Sequence, residues 1–196
     1  MKTAGTFYEE RHPHPLAGVD EVGRGAIAGP VVACAVVLPK GLRIEGVYDS
    51  KKLSVVRRIE LAKKISELAV CFSYGVLDAG RIDETNILQA TLEAMVIAIN
   101  GLSVTPKTVL VDGVQSPDVE LPVISVKGGD SLSISIAAAS ILAKVYRDGV
   151  MEKYHEECPC YGFYSHKGYG TKKHFEAVST YGLSPLHRKT FLKKHG

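Results

Sequence analysis

Five short apolar runs alternate with stretches of helical periodicity along this chain, and that alternation predicts an α/β fold. The first run, Leu16 to Val22, reads as a core strand, yet it carries Asp20 and Glu21 and then breaks into Gly23-Arg24-Gly25. Pro30 to Leu38 is a continuous apolar strand bounded by Gly29-Pro30 and Pro39. Val70 to Val76, Thr108 to Gly113 and Pro122 to Val126 supply three more. Between them Ser54 caps a helix that places Val55, Ile59, Ala62 and Ile65 inside. A second helix, about 86–100, places Leu88, Leu92, Met95 and Ile99 inside and stops at Asn100-Gly101. A long helix starts at Asp130-Ser131 and runs to Tyr154; its apolar positions cover much of the circumference, the mark of a buried central helix. Thr171 caps a last short helix with Phe175 and Val178 inside, ending at Gly182. Residues 1–15 read as an irregular leader, 16–155 as the main domain and 156–196 as a C-terminal extension.

Composition narrows the class. With 45% hydrophobic and 23% charged residues, the 196-residue chain fits one globular domain with a real core. No signal-peptide pattern opens it, and no apolar run approaches the ~20 residues of a membrane span, so the expectation is a cytoplasmic protein without membrane contact. The net charge of +3 is uneven. Residues 156–196 hold 7 Lys and Arg against 3 Asp and Glu, with His166, His174, His187 and His195 among them. Such a tail suits a polyanionic partner, and equally a solvated charged surface. Cys34 and Cys71 read as buried thiols; Cys158-Pro159-Cys160 is a weak zinc signal beside the plainer readings of packing or a redox-sensitive pair.

The candidate chemistry gathers at strand ends. Burying Asp20 and Glu21 among aliphatic residues is costly unless a cation or strong hydrogen bonds compensate, and a divalent metal held by oxygen ligands does so economically. In a regular strand the two side chains point to opposite faces, so they share a site only if the strand ends, twists or bulges at Gly23; otherwise one is solvated. Asp112 ends the fourth strand, where ligands gather in open α/β sheets. Asp130 follows Gly128-Gly129 and reads either as a site residue or as a helix N-cap. Asp148 lies eighteen residues further on, roughly 27 Å along a helix, too far to share a site with Asp130. Gly23-Arg24-Gly25 offers backbone that a ligand can approach and a cation suited to phosphate. The aromatic, basic and glycine residues of 161–171 suit sugar and phosphate contacts.

The motifs GVDEVGRG (18–25), AGPVV (28–32), DSKKL (49–53), VDG (111–113), GGD (128–130), SIAAASILAKVYRD (135–148), HKGYGT (166–171) and SPLHRK (184–189), in this order, closely resemble ribonuclease HII, the bacterial type 2 ribonuclease H. The resemblance runs from about Leu16 to Phe191. It implies an α/β, ribonuclease H-like mixed five-stranded sheet flanked by helices, with a C-terminal helical extension. It implies that Asp20, Glu21, Asp112 and Asp130 hold Mg²⁺ or Mn²⁺, and that Gly23, Arg24, Gly25 and Tyr169 recognise the ribonucleotide 2′-hydroxyl. Lys51, within DSKKL, is a further substrate-binding candidate. The expected substrates are RNA–DNA hybrids and duplex DNA with embedded ribonucleotides, handled by a monomer. Departures from the family pattern are small: Gly128, and the Cys158-Pro159-Cys160 run. The related ribonuclease HIII carries a sizeable N-terminal substrate-binding domain, whereas fifteen residues precede the first strand here. Two other readings stay open: a different nuclease on the same fold, such as a junction resolvase, and a non-catalytic nucleic-acid-binding module.

Overall fold

The computed structural model describes residues 6–47 and 53–192. All five expected strands form: β1 (Leu16–Val22), β2 (Val31–Val37), β3 (Cys71–Leu77), β4 (Thr108–Asp112) and β5 (Val123–Val126). They make one sheet in the order β3-β2-β1-β4-β5, antiparallel across β3-β2-β1 and parallel across β1-β4-β5. This is the mixed five-stranded sheet the motifs imply. β1 is central, so the carboxylates it carries come up in the middle of the sheet.

Strand alternation divides the core into two layers. Ala17, Val19, Val109 and Val111 face one side, where they pack with Ala90, Ala94 and Met95 of α4 (Ile87–Asn100). Val32, Cys34 and Val36 face the other, against Ile134, Ala138, Ile141 and Leu142 of α5 (Ile134–Glu157) and Leu61, Ala62 and Ile65 of α2 (Val55–Leu68). The close approach of α5 to β1 depends on Gly18: a Cβ there would run into the backbone of Ser135 and Ile136.

Three helical expectations need correction. In α2, Ser54 does cap the first turn, accepting from the Arg57 amide, but Val55 and Ile59 are 63% and 53% exposed. Ala62 and Ile65 are buried as expected, and Leu61 joins them in place of Val55 and Ile59. In α4 the buried face is Ala90, Thr91, Ala94, Met95, Ala98 and Ile99, while Leu88 and Leu92 are half-buried. Small residues win that face because the helix backbone at Ala94 lies on Gly75 of β3, where a side chain would collide. Finally, α5 starts at Ile134 with Ser133 as its cap; Asp130 sits in a separate one-turn 3-10 helix, Gly129–Ser131. Its N-cap reading for the long helix therefore fails.

The leader is not wholly irregular. It contains α1 (Thr6–Glu9), and the buried Glu9 carboxylate accepts from the Ser133 hydroxyl and the Ser135 amide at 2.6 and 2.7 Å, anchoring it to the start of α5. The remaining short helices are α3 (Ala79–Glu84), α6 (Phe163–His166), α7 (Lys172–Tyr181) and α8 (Lys189–Leu192). Residues 158–192 fold back onto the segment between β1 and β2. Ala26 bridges Tyr169, Ala28 bridges His187, and Phe163, Tyr161 and Met151 pack on Ala28. No helix among the described residues is long and apolar enough to cross a membrane.

Candidate active site

The β1–β4 register explains how two aspartates meet. Val19 lies beside Val111, so the next pair along the strands is Asp20 and Asp112, neighbours at the same level. Both belong to the α5 side of the sheet, because Val19 and Val111 occupy the α4 side. Glu21 alternates to the α4 side, as strand geometry requires. It still reaches the site because β1 ends one residue later: Glu21 and Asp112 stand at the sheet rim and line cavities on both sides of it.

The larger cavity, about 460 Å³, is lined by Asp20, Glu21, Asp112, Asp130, Arg58, Ser140, Lys144 and Tyr169, with Val22 and Ile141. The four acidic residues singled out in the sequence thus share one opening. Asp130 comes in from the 3-10 turn, which Asp112 holds in place: its Oδ1 accepts from the Gly129 amide at 2.7 Å. Asp20 is 6% exposed; its Oδ1 accepts from the Glu21 amide at 2.8 Å, and Ser140 also hydrogen-bonds it. Burial pushes the Asp20 carboxyl well up from its ordinary range, and the charges of Glu21 and Asp112 push it further. Burial raises Glu21 too, against the opposing pull of Arg24.

This donor set fits a hard divalent cation: oxygen ligands only, and an excess of negative charge that hydrogen bonds do not neutralise. Among the described residues no three acidic, histidine or cysteine groups are drawn up around a single point, so the carboxylates share a cavity rather than a closed coordination shell. Asp148 does not line this cavity; it pairs at 2.7 Å with Lys144, which does.

The proposed recognition residues are brought together beside this cavity. Gly23 and Gly25 are the first and third residues of a tight turn, closed by the Ala26 amide donating to the Gly23 carbonyl at 3.3 Å. Gly23 has φ +95°, and a Cβ there would strike the Arg147 side chain and the Pro30 carbonyl. The Arg24 guanidinium is half-exposed and donates to Glu21 at 3.2 Å, so the cation expected to grip phosphate is here shared with a site carboxylate. Tyr169 lines the cavity, its backbone bridged to Ala26 and its ring 5.4 Å from the Arg147 guanidinium. Lys51 lies outside the described residues.

The histidines and Arg188 of the tail depart from the sequence reading. The expectation of a basic, histidine-rich surface counted His166, His174, His187 and Arg188, yet all four are buried. His174 Nδ1 donates to the Tyr169 carbonyl at 2.9 Å, which leaves its Nε2 to accept from His187 Nε2 at 3.1 Å. His187 Nδ1 accepts in turn from the Ser184 amide, and His166 Nε2 donates to the Tyr161 carbonyl. Burial holds all three imidazoles below their ordinary value, His174 at about 4, so they are neutral packing and hydrogen-bonding groups. Cys158, in turn, simply ends α5, and Cys160 is exposed.

Sequence reasoning also missed Ser140, Lys144 and Arg147. Their signal was a polar stripe at spacings of four and three on an otherwise apolar helix. Arg58 carried no such mark.

The description "Ribonuclease HII" belongs to the family model that matches residues 17–195. A ribonuclease HII of Clostridioides difficile (strain 630) is 53% identical over 178 residues, covering 91% of this chain and 70% of the relative. One from Geobacter metallireducens is 52% identical over 184 residues, covering 93% and 86%. Among solved structures, ribonuclease H2 from Pyrococcus horikoshii OT3 superposes with a TM-score of 0.75 at 30% identity, covering 89% of this chain and 92% of its own. A match of that extent, joined to the same ordered motifs and sheet, places the chain in the ribonuclease HII family.

Proposed function

We propose that this chain is a metal-dependent endoribonuclease that cuts the RNA strand of RNA–DNA hybrids and cleaves at single ribonucleotides embedded in duplex DNA, leaving 5′-phosphate and 3′-hydroxyl ends. The observation that carries the reading is the shared cavity: four carboxylates at a sheet end, with Tyr169 on its wall and the Gly23–Ala26 turn beside it. A pure binding module would gain nothing from those carboxylates, which repel phosphate unless a cation is bound. A junction resolvase would share the acids but has no use for a tight glycine turn paired with a tyrosine.

Asp20, Glu21, Asp112 and Asp130 would hold Mg²⁺ or Mn²⁺, which supplies an activated water and stabilises charge on the leaving 3′-oxygen. The protein's own part is positioning. Ser140 and the Glu21 amide fix the Asp20 carboxylate, and the Gly129 amide fixes Asp112. Lys144 and Arg58 bring positive charge to the same wall, where a phosphodiester backbone must pass. Gly23, Arg24, Gly25 and Tyr169 read the ribose, and Lys51 assists in binding substrate. Residues 156–196 act as a substrate-binding extension of the 16–155 catalytic domain. One chain carries every proposed group, so a monomer suffices, acting in the cytoplasm.

The test is cleavage of a labelled RNA–DNA hybrid and of a duplex with one ribonucleotide, with and without Mg²⁺. Asp112→Asn is expected to lose at least about a thousandfold in rate, while Asp148→Asn stays within a few-fold. Equal inactivation by Asp148→Asn in a folded protein, or cleavage indifferent to metal, refutes the reading.

A further inference from the structure

Arg147 and Arg188 are both fully buried, and among the described residues neither pairs with a carboxylate. Burying a guanidinium without an ion-pair partner is costly, so the hydrogen bonds it makes must serve something. All six go to main-chain carbonyls of two segments. Arg147 donates to Pro30, Lys167 and Ala28 at 2.9, 2.9 and 3.2 Å. Arg188 donates twice to Gly29, at 3.0 and 2.9 Å, and once to Arg24 at 3.1 Å. These are the segments that carry the glycine turn and Tyr169.

The bond to Arg24 differs from the rest because of where that carbonyl sits. The Ala26-to-Gly23 hydrogen bond closes a four-residue turn, so the Arg24–Gly25 peptide is its central unit. In such turns the central peptide has two orientations, distinguishing types I and II, and glycine in the third position tolerates both. Arg188 takes the Arg24 carbonyl inward. In a trans peptide the following N–H points the opposite way, so the Gly25 amide faces away from Arg188. Gly25 is exposed, with open space where a side chain would be.

We propose that Arg188 is a positioning residue for ribonucleotide selection: it locks the central peptide of the Gly23–Ala26 turn so that the Gly25 amide stands outward as a donor to the ribose 2′-hydroxyl oxygen. Arg147 braces the same loop from α5, and its stem requires Gly23 to lack a side chain. The proposal rests on the reading that this turn recognises the ribonucleotide. Lysine cannot replace Arg188, since one ammonium cannot hold the Gly29 and Arg24 carbonyls in the fork geometry that a guanidinium offers.

The experiment compares affinity for a duplex containing one ribonucleotide with affinity for the identical all-DNA duplex, in EDTA so that no strand is cut. Wild-type protein should prefer the ribonucleotide. Arg188→Lys should reduce that preference about tenfold, the worth of one well-placed hydrogen bond. General loss of folded protein lowers both affinities together and leaves the ratio alone. An unchanged ratio in the variant overturns the proposal while sparing the reading of the turn; a wild type without preference overturns both. If Arg188→Lys does not fold, the wild-type Gly25 amide resonance decides: it should move downfield on adding the ribonucleotide duplex and not the all-DNA one. Equal responses to the two duplexes overturn the proposal.

Discussion

Replacing Asp20 with asparagine is expected to make the metal-free protein more stable while removing its activity. The carboxylate is 6% exposed, burial and the charges of Glu21 and Asp112 raise its pKa, and two hydrogen bonds only partly compensate. A raised carboxyl pKa means the folded state favours the protonated form. The group's contribution to stability is therefore complete below its unfolded pKa and is lost as pH rises through the folded one. At pH 7 it is a cost. The asparagine side chain keeps an oxygen to accept the Glu21 amide and removes the charge, a gain of about 2 kcal/mol, toward the middle of the range seen when buried charge gives way to neutral groups. For a chain of this length that corresponds to a Tm rise of about 5 °C. The assay is thermal unfolding in EDTA at pH 7, repeated with Mg²⁺ at a hundred times its dissociation constant. There, wild type gains about 2.7 kcal/mol from binding and the variant loses most of that gain, so the order should level or invert. A variant no more stable than wild type in EDTA refutes the idea that this site stores uncompensated negative charge.

Three further predictions concern the frame around the site. Burial holds the three histidines below their ordinary pKa, so their contribution to stability is present above about 6.5 and declines below it; for His174 the loss continues as pH falls toward 4. For His174, the fall from pH 7 to 5 is about 2 kcal/mol. It is read as the pH dependence of the difference in urea midpoint between wild type and His174→Asn, whose amide can still donate to Tyr169, and a constant difference refutes it. Gly18→Ala should cost more than about 3 kcal/mol because it drives α5 off β1. Gly149→Ala, on α5 with open space around it, should gain about 0.5–1 kcal/mol, both measured by chemical denaturation.

Much of this was legible in the sequence because the strands are apolar runs with sharp ends. Asp112 could be placed at a strand terminus from Val109 to Val111 alone, and the conflict between Asp20 and Glu21 followed from period-two alternation. Pairing is what the sequence hid: that Asp20 lies level with Asp112 depends on the β1–β4 register, which no local pattern carries. The buried face of α4 is hidden for a related reason: helical periodicity favours large aliphatic residues inside, but Gly75 on the facing strand invites Ala94 to the contact and turns Leu88 and Leu92 to the margin. Charge alone marks Arg188 and the three histidines as surface groups. Their burial depends on the tail folding onto residues 26–30, a contact 159 residues away in the chain for Arg188 and Gly29.

That burial changes how selectivity must arise. Cations on a surface attract phosphate, and phosphate is the same in RNA and DNA. Lys144 and Arg58 at the cavity, with the exposed Lys172, Lys173 and Lys189 of the tail, can therefore hold a nucleic acid without choosing between the two. The 2′-hydroxyl is neutral and small, and it is distinguished only by a donor or acceptor fixed at hydrogen-bonding distance. A turn free to flip its central peptide would present a donor part of the time and an acceptor otherwise, spreading the discrimination over two states. Removing Arg188 from the surface and directing its hydrogen bonds to Gly29 and Arg24 takes a charge away from general attraction and uses it to hold one peptide still. On the proposed reading, selection is accordingly a property of ordered backbone, and charge serves mainly to bring the strand to it.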